Sequence, residues 1–116
     1  MASETIKPII LTDNASGEVY TLEYSRESVV FINNHGFKRS EIEDNMEEML
    51  PLLFWGAFRM HHRRISRTQA DAILEKLGGI TDSMLNRLIA LYNVPITTLV
   101  RSDDEGTDSE NFTVTM

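Results

Sequence analysis

The sequence predicts an α+β domain, mostly helical, in which an N-terminal β-hairpin precedes a bundle of four to five helices and a loose acidic C-terminus. Three observations carry this reading. Two β-rich runs flank a turn before residue 25, and apolar residues then recur at helical spacing between caps and glycine stops. After Arg101 the composition turns polar and acidic. Residues 1–100 are read as one domain and residues 101–116 as a tail.

The hairpin comes first. Ile9-Ile10-Leu11-Thr12 and Val19-Tyr20-Thr21-Leu22-Glu23-Tyr24 enclose Asp13-Asn14-Ala15-Ser16-Gly17, a cluster of turn formers ending in a glycine able to take positive φ. Side chains alternate along a strand, so Tyr20, Leu22 and Tyr24 share the face expected to point inward. A lone hairpin is marginal in water and must dock on helices.

Ser25 is placed to cap a helix running to about Asn34 or His35, with Gly36 as its stop. The run Val29-Val30-Phe31-Ile32 suits a strand equally well. Asn45 opens the next helix, which extends to about His62. Glu48, three residues on, completes a capping-box pattern, and arginine and histidine gather at the far end, where cations favour the helix dipole. Pro51 either kinks this helix or marks a late start.

Met46, Leu50, Leu53, Ala57 and Met60 form one stripe on that helix, whereas Leu52, Phe54, Trp55 and Phe58 fall outside it. A helix apolar nearly all round must be surrounded. Either the rest of the domain covers it, or part of its aromatic side meets another chain. On the second reading the binding residues are Phe54, Trp55, Phe58 and Met49, with Arg59 and Arg63 at the rim; the methionines suit an adaptable surface or plain core filling.

Ser66 and Gln69 form another capping box, opening a helix to Leu77 whose inner face is Ala70, Ile73, Leu74 and Leu77. Gly78-Gly79 end it. Thr81 caps a last helix carrying Leu85, Leu88, Ile89 and Tyr92, stopped or bent by Pro95 near Asn93, with Ile96, Leu99 and Val100 adding a turn. These two helices are expected to pair as a helical hairpin. Residues 102–110 are acidic and expected to lack order, and Asn111–Met116 alternates like a strand, either as a frayed end or as an edge strand.

Composition narrows the function. With 116 residues and no cysteine, disulfides and thiolate metal sites are excluded, which fits a reducing cytosol. The apolar-leaning run at the N-terminus is short and broken by Lys7 and Pro8, so neither a signal peptide nor a membrane span is expected and the reading is cytoplasmic. The net charge of −7 disfavours nucleic acid. Charge is also segregated: Glu41, Glu43, Asp44, Glu47 and Glu48 stand in one block, and Arg59, Arg63, Arg64 and Arg67 in the next. Such blocks are either solvated faces or steering patches for a partner or a second copy of the chain.

Catalytic chemistry is not expected. Adjacent His61 and His62 diverge by about 100° on a helix and do not converge on a metal as an i, i+4 pair does. The chain carries no phosphate loop, nucleophile elbow or recognisable catalytic lysine, and no metal or cofactor is expected. The basic run before two helices suggests a small DNA-binding regulator, but the second helix opens with Asp82 and offers a groove chiefly Asn86 and Arg87.

One resemblance spans residues 9–100. A hairpin leads through Val19-Tyr20-Thr21-Leu22-Glu23-Tyr24-Ser25-Arg26-Glu27-Ser28-Val29 to Gly36-Phe37. An acidic linker then precedes Met49-Leu50-Pro51-Leu52-Leu53-Phe54-Trp55-Gly56-Ala57-Phe58, His61-His62, and finally Leu88-Ile89-Ala90-Leu91-Tyr92-Asn93 with Pro95. This order resembles the tail assembly chaperones of siphophages and prophages. The resemblance implies a helical, non-enzymatic assembly factor of the host bacterial cytoplasm that keeps the tape-measure protein soluble and leaves before the virion is complete. A longer frameshifted form is a further implication, and no binding residue is carried over; a homo-oligomer is an expectation of the charge blocks alone. A structural neck or tail-completion protein of the virion is the second class.

Overall fold

Local chemistry sets the first turn. In the computed structural model, which describes residues 6–99 together with Asn111, Thr113 and Thr115, strands β1 (Ile9–Thr12) and β2 (Val19–Leu22) pair antiparallel, Ile9 opposite Leu22 and Thr12 opposite Val19. The Asp13 carboxylate accepts from the Ala15 and Ser16 amides at 2.9 and 3.3 Å, and Gly17 takes φ 79°. Leu22 and Tyr24 are buried and Tyr20 half-buried on the expected inner face, while Ile10 and Val19 face outward.

Among the described residues four helices follow: α1 (Arg26–Asn34), α2 (Met46–Phe58), α3 (Arg67–Leu77) and α4 (Asp82–Thr97), with a 3-10 turn at Arg39–Glu41 before α2. The predicted fold class therefore holds. The reciprocal cap at the start of α1 decides helix over strand: Ser25 Oγ accepts from the Ser28 amide and Ser28 Oγ from the Ser25 amide, both at 3.2 Å. Ser66 and Gln69 form the anticipated box on α3, and Thr81 caps α4. The expectations for residues 101–110 and for a strand at 111–116 lie outside the described residues, apart from Asn111, Thr113 and Thr115.

Several expectations are corrected. Asn45 makes no capping box. The chain enters α2 with Asn45 at φ −139°, ψ 51°, and its amide nitrogen donates to the Glu48 carboxylate at 3.2 Å instead of its oxygen accepting a backbone N–H. The helix ends at Phe58, short of His62, because the Arg59 amide turns back to the Gly56 carbonyl, three residues behind, at 3.1 Å. Pro51 lies inside α2, and the carbonyl it leaves unpaired is that of Glu47 in the exposed first turn. Pro95 likewise does not stop α4, which runs on to Thr97. The Arg26 guanidinium donates to the Pro95 and Thr98 carbonyls there, both at 3.4 Å.

Nor do α3 and α4 pair as a hairpin. Gly78 and Gly79, at φ 86° and 103°, send the chain away after α3, and both helices pack on α2 rather than on each other. Ala70 is the single fully buried residue of α3.

With α1, α3, α4, β2 and the 3-10 turn all against it, α2 is the axis of the core. Its buried residues are Met49, Leu52, Leu53, Phe54, Gly56, Ala57 and Phe58, more than one stripe can hold. The stripe read from the sequence is thus rotated: Met46 and Met60, its ends, are each 43% exposed. Gly56 is where α1 approaches. A Cβ there would stand 2.4 Å from Ile32 Cγ2 and 2.6 Å from the Tyr24 hydroxyl. That hydroxyl donates to the Leu53 carbonyl, and the Glu23 amide donates to the Ala57 carbonyl at 2.9 Å, tying the end of the hairpin to α2.

Gly56→Ala tests this approach. Alanine in a helix interior is intrinsically favoured by about 1 kcal/mol, but overpacking a filled core costs about 1–3 kcal/mol. Because Ile32 is fully buried, the overpacking wins, and urea unfolding will show a lower midpoint. A raised midpoint would refute the close contact.

Candidate protein-docking face

Glu27 and Phe31 of α1 and His35 at its C-cap recur every four residues, so they lie along one side of the helix. Trp55 of α2 and Arg59 at its C-cap repeat the spacing. Where these two lines meet, the Phe31, His35 and Trp55 rings form a triangle with centroids 4.6–5.0 Å apart. Phe31 and Trp55 are half-buried and His35 is exposed. The Arg59 guanidinium sits 4.1 Å from the Phe31 centroid, within cation–π range.

Hydrogen bonds fix the group. Trp55 Nε1 donates to the Ile65 carbonyl at 3.0 Å, and His35 Nδ1 donates to the Phe31 carbonyl at 2.8 Å. Arg59 Nε and Arg63 Nη2 donate to the two oxygens of Glu27 at 2.9 and 2.5 Å. The Arg59 bond, with Arg63 behind it, holds the Glu27 carboxyl below its ordinary value. The result is an ordered aromatic floor with arginines at its rim.

The structure divides the residues named from sequence. Trp55, Arg59 and Arg63 stand together on this face. Phe54, Phe58 and Met49 do not reach it: Phe54 and Phe58 are wholly buried and Met49 is 3% exposed, so their place in binding is corrected to the core. They lie on the sides of α2 covered by the other elements. Sequence reading missed Glu27, Phe31 and His35. The four-residue spacing was visible, but the β-branched run around Phe31 obscured the helix that gives it meaning.

Beside this face a histidine pair fastens the hairpin. His61 Nε2 donates to Glu23 Oε1 at 2.8 Å, and His62 Nε2 accepts from the Thr21 amide at 2.9 Å. The His62 ring also meets Tyr20 edge-on at 5.5 Å. A concavity of about 380 Å³ lies between hairpin and α3, lined by Leu11, Tyr20, Ile73 and Leu77. Lys76 closes its rim by donating to Asp13 at 2.7 Å, which, with the turn amides, lowers the Asp13 carboxyl to about 2.

Residues 1–116 match a family described as a domain of unknown function, DUF5055. The chain belongs to this family. No curated protein and no solved structure matches it. Among the described residues of this DUF5055 chain, no three histidine or carboxylate groups are placed to hold a metal ion, and no helix is long and apolar enough to cross a membrane.

The His62 bond makes stability depend on pH. Nε2 accepts only while the ring is neutral. Burial first, and then the neighbouring His61, lower the His62 pKa from 6.5. The unfolded chain therefore binds the proton more readily. The contribution is whole above pH 6.5 and is lost as pH falls through the lowered folded value. His62→Gln, which keeps an acceptor without titrating, will flatten the change in unfolding free energy between about pH 5 and 7.5. An unchanged slope would remove His62 as its source.

Proposed function

We propose that this chain is a tail assembly chaperone of a long-tailed phage or prophage, a non-enzymatic factor that binds the tape-measure protein in the bacterial cytoplasm and keeps it soluble. The segment order from the hairpin to Pro95 supports the family. The observation that carries a binding role is the ordered Phe31–His35–Trp55 cluster, left partly open beside a core that Phe54 and Phe58 already fill. Aromatic and arginine side chains are the residue types that anchor protein interfaces. An apolar face on an acidic body is what a holding factor needs, since it shields the client while charge keeps the complex dispersed.

Co-expression with the longest helical protein encoded nearby is the direct test: the client will become soluble and co-purify, and the chain will be absent from finished particles. His35→Asp, at an exposed position, and Trp55→Asp will retain the fold and lose the client. Phe58→Asp will unfold the domain, since even truncating a buried phenylalanine costs about 3–5 kcal/mol. Recovery of the chain in purified virions would favour a structural neck or tail-completion role instead.

A further inference from the structure

We propose that residues 111–116 add to the hairpin as a third strand, parallel to β1 along its outer edge, with Thr113 beside Ile10. The chain thereby closes a sheet edge that is otherwise open to strands of other chains.

The hydrogen bonds of β2 show which way that edge faces. The Thr21 and Glu23 amides donate away from the ladder, to His62 Nε2 and the Ala57 carbonyl, both at 2.9 Å. Bonded and non-bonded residue pairs alternate in an antiparallel ladder. Thr21 lies opposite Ile10, so Ile10 and Thr12 turn their backbone groups away from β2, and the Pro8 carbonyl turns the same way. Among the described residues, nothing bonds to these groups. An edge with unpaired N–H and C=O groups is a template for another strand.

A segment that fits lies within the chain itself. Phe112, Val114 and Met116 alternate with Asn111, Thr113 and Thr115, the pattern of a strand with one covered face. With Thr113 beside Ile10, Phe112 falls beside Ile9 and Val114 beside Leu11. Ile9 and Leu11 are half-buried, and Leu11 and Tyr20 line the concavity against α3, so Val114 gains apolar surface to cover. The polar set faces solvent beside Pro8, Ile10 and Thr12. In the structure Asn111, Thr113 and Thr115 are exposed and outside the two-stranded sheet, so the three-stranded form is a second arrangement of this chain.

Reach and charge select the direction. Arg26 donates to the Pro95 and Thr98 carbonyls at 3.4 Å, and Leu22, four residues before it, lies opposite Ile9. Chain geometry then places Thr98 at most about 35 Å from the start of β1, while the stretch from Thr98 to Asn111 spans up to about 43 Å when extended. A parallel strand enters beside Pro8 and sets Glu110 alongside Lys7. The matching antiparallel register sets Glu110 alongside the Asp13 carboxylate, and like charges side by side destabilise a strand pair. Pro8 suits the first rung, because it has no N–H to leave unpaired and its carbonyl meets the Phe112 amide.

Hydrogen exchange in the full chain tests the added strand. The Ile10 and Thr12 amides will exchange at least about tenfold more slowly in wild type than in Phe112→Asp/Val114→Asp, with the α2 amides unchanged. The chain has no cysteine, so an introduced pair reads the direction. Thr12→Cys with Thr115→Cys will cross-link within one chain faster than Thr12→Cys with Asn111→Cys, which the antiparallel register brings together. Equal exchange in wild type and the double variant overturns the proposal, as does faster cross-linking of the second pair. Protection that grows with protein concentration, or cross-links between chains, would give the edge to a second copy and overturn it too.

Discussion

The absence of a side chain at Gly56 is the constraint on which the rest of the structure depends. It lets Ile32 of α1 and the Tyr24 ring sit directly on the α2 backbone. Tyr24 then reaches the Leu53 carbonyl and Glu23 the Ala57 carbonyl, so one gap seats both the end of the hairpin and the first helix. The helices α3 and α4 and the 3-10 turn are placed against the cylinder that these contacts define. Since cores are packed as tightly as organic crystals, a methyl group at this point is felt by three elements together.

The aromatic face proposed for docking is a by-product of that geometry. Once α1 is drawn onto α2 at Gly56, the outer line of α1 must run alongside Trp55 and Arg59, bringing Phe31 and His35 within ring contact. Glu27 at the head of the same line collects both arginines, so the surface is held in place by hydrogen bonds without being buried. A pre-organised surface loses less side-chain freedom when a partner arrives, and this favours affinity per unit area.

Much of the fold was legible because local chemistry determines it. The turn at Asp13–Gly17, the cap at Ser25, the box at Ser66 and the Gly78-Gly79 stop each act through a few neighbouring residues. The orientation of α2 was not legible, because a segment apolar on every side has no periodicity from which to choose an inward face. The boundary between Phe54, Phe58 and Met49 as core and Trp55 as surface depends on which elements lie where, a non-local fact. Pro51 misled for a different reason: the carbonyl its missing N–H leaves unpaired is that of Glu47, in the exposed first turn, where water can reach it. The site was half visible. Trp55, Arg59 and Arg63 came from the helix that drew attention, while Glu27, Phe31 and His35 waited on the helical state of α1.

One helix stands apart in how it is held. Only Ala70 of α3 is fully buried, α4 lends it no support, and the Lys76–Asp13 pair that moors it to the hairpin lies at the surface. Local opening is easiest where few buried contacts hold an element, so α3, held to the domain through α2 alone among the helices, is placed to open before the rest. Its backbone amides should trade hydrogen for deuterium ahead of those in α2. Such an event would bare the side of α2 that Ala70 covers.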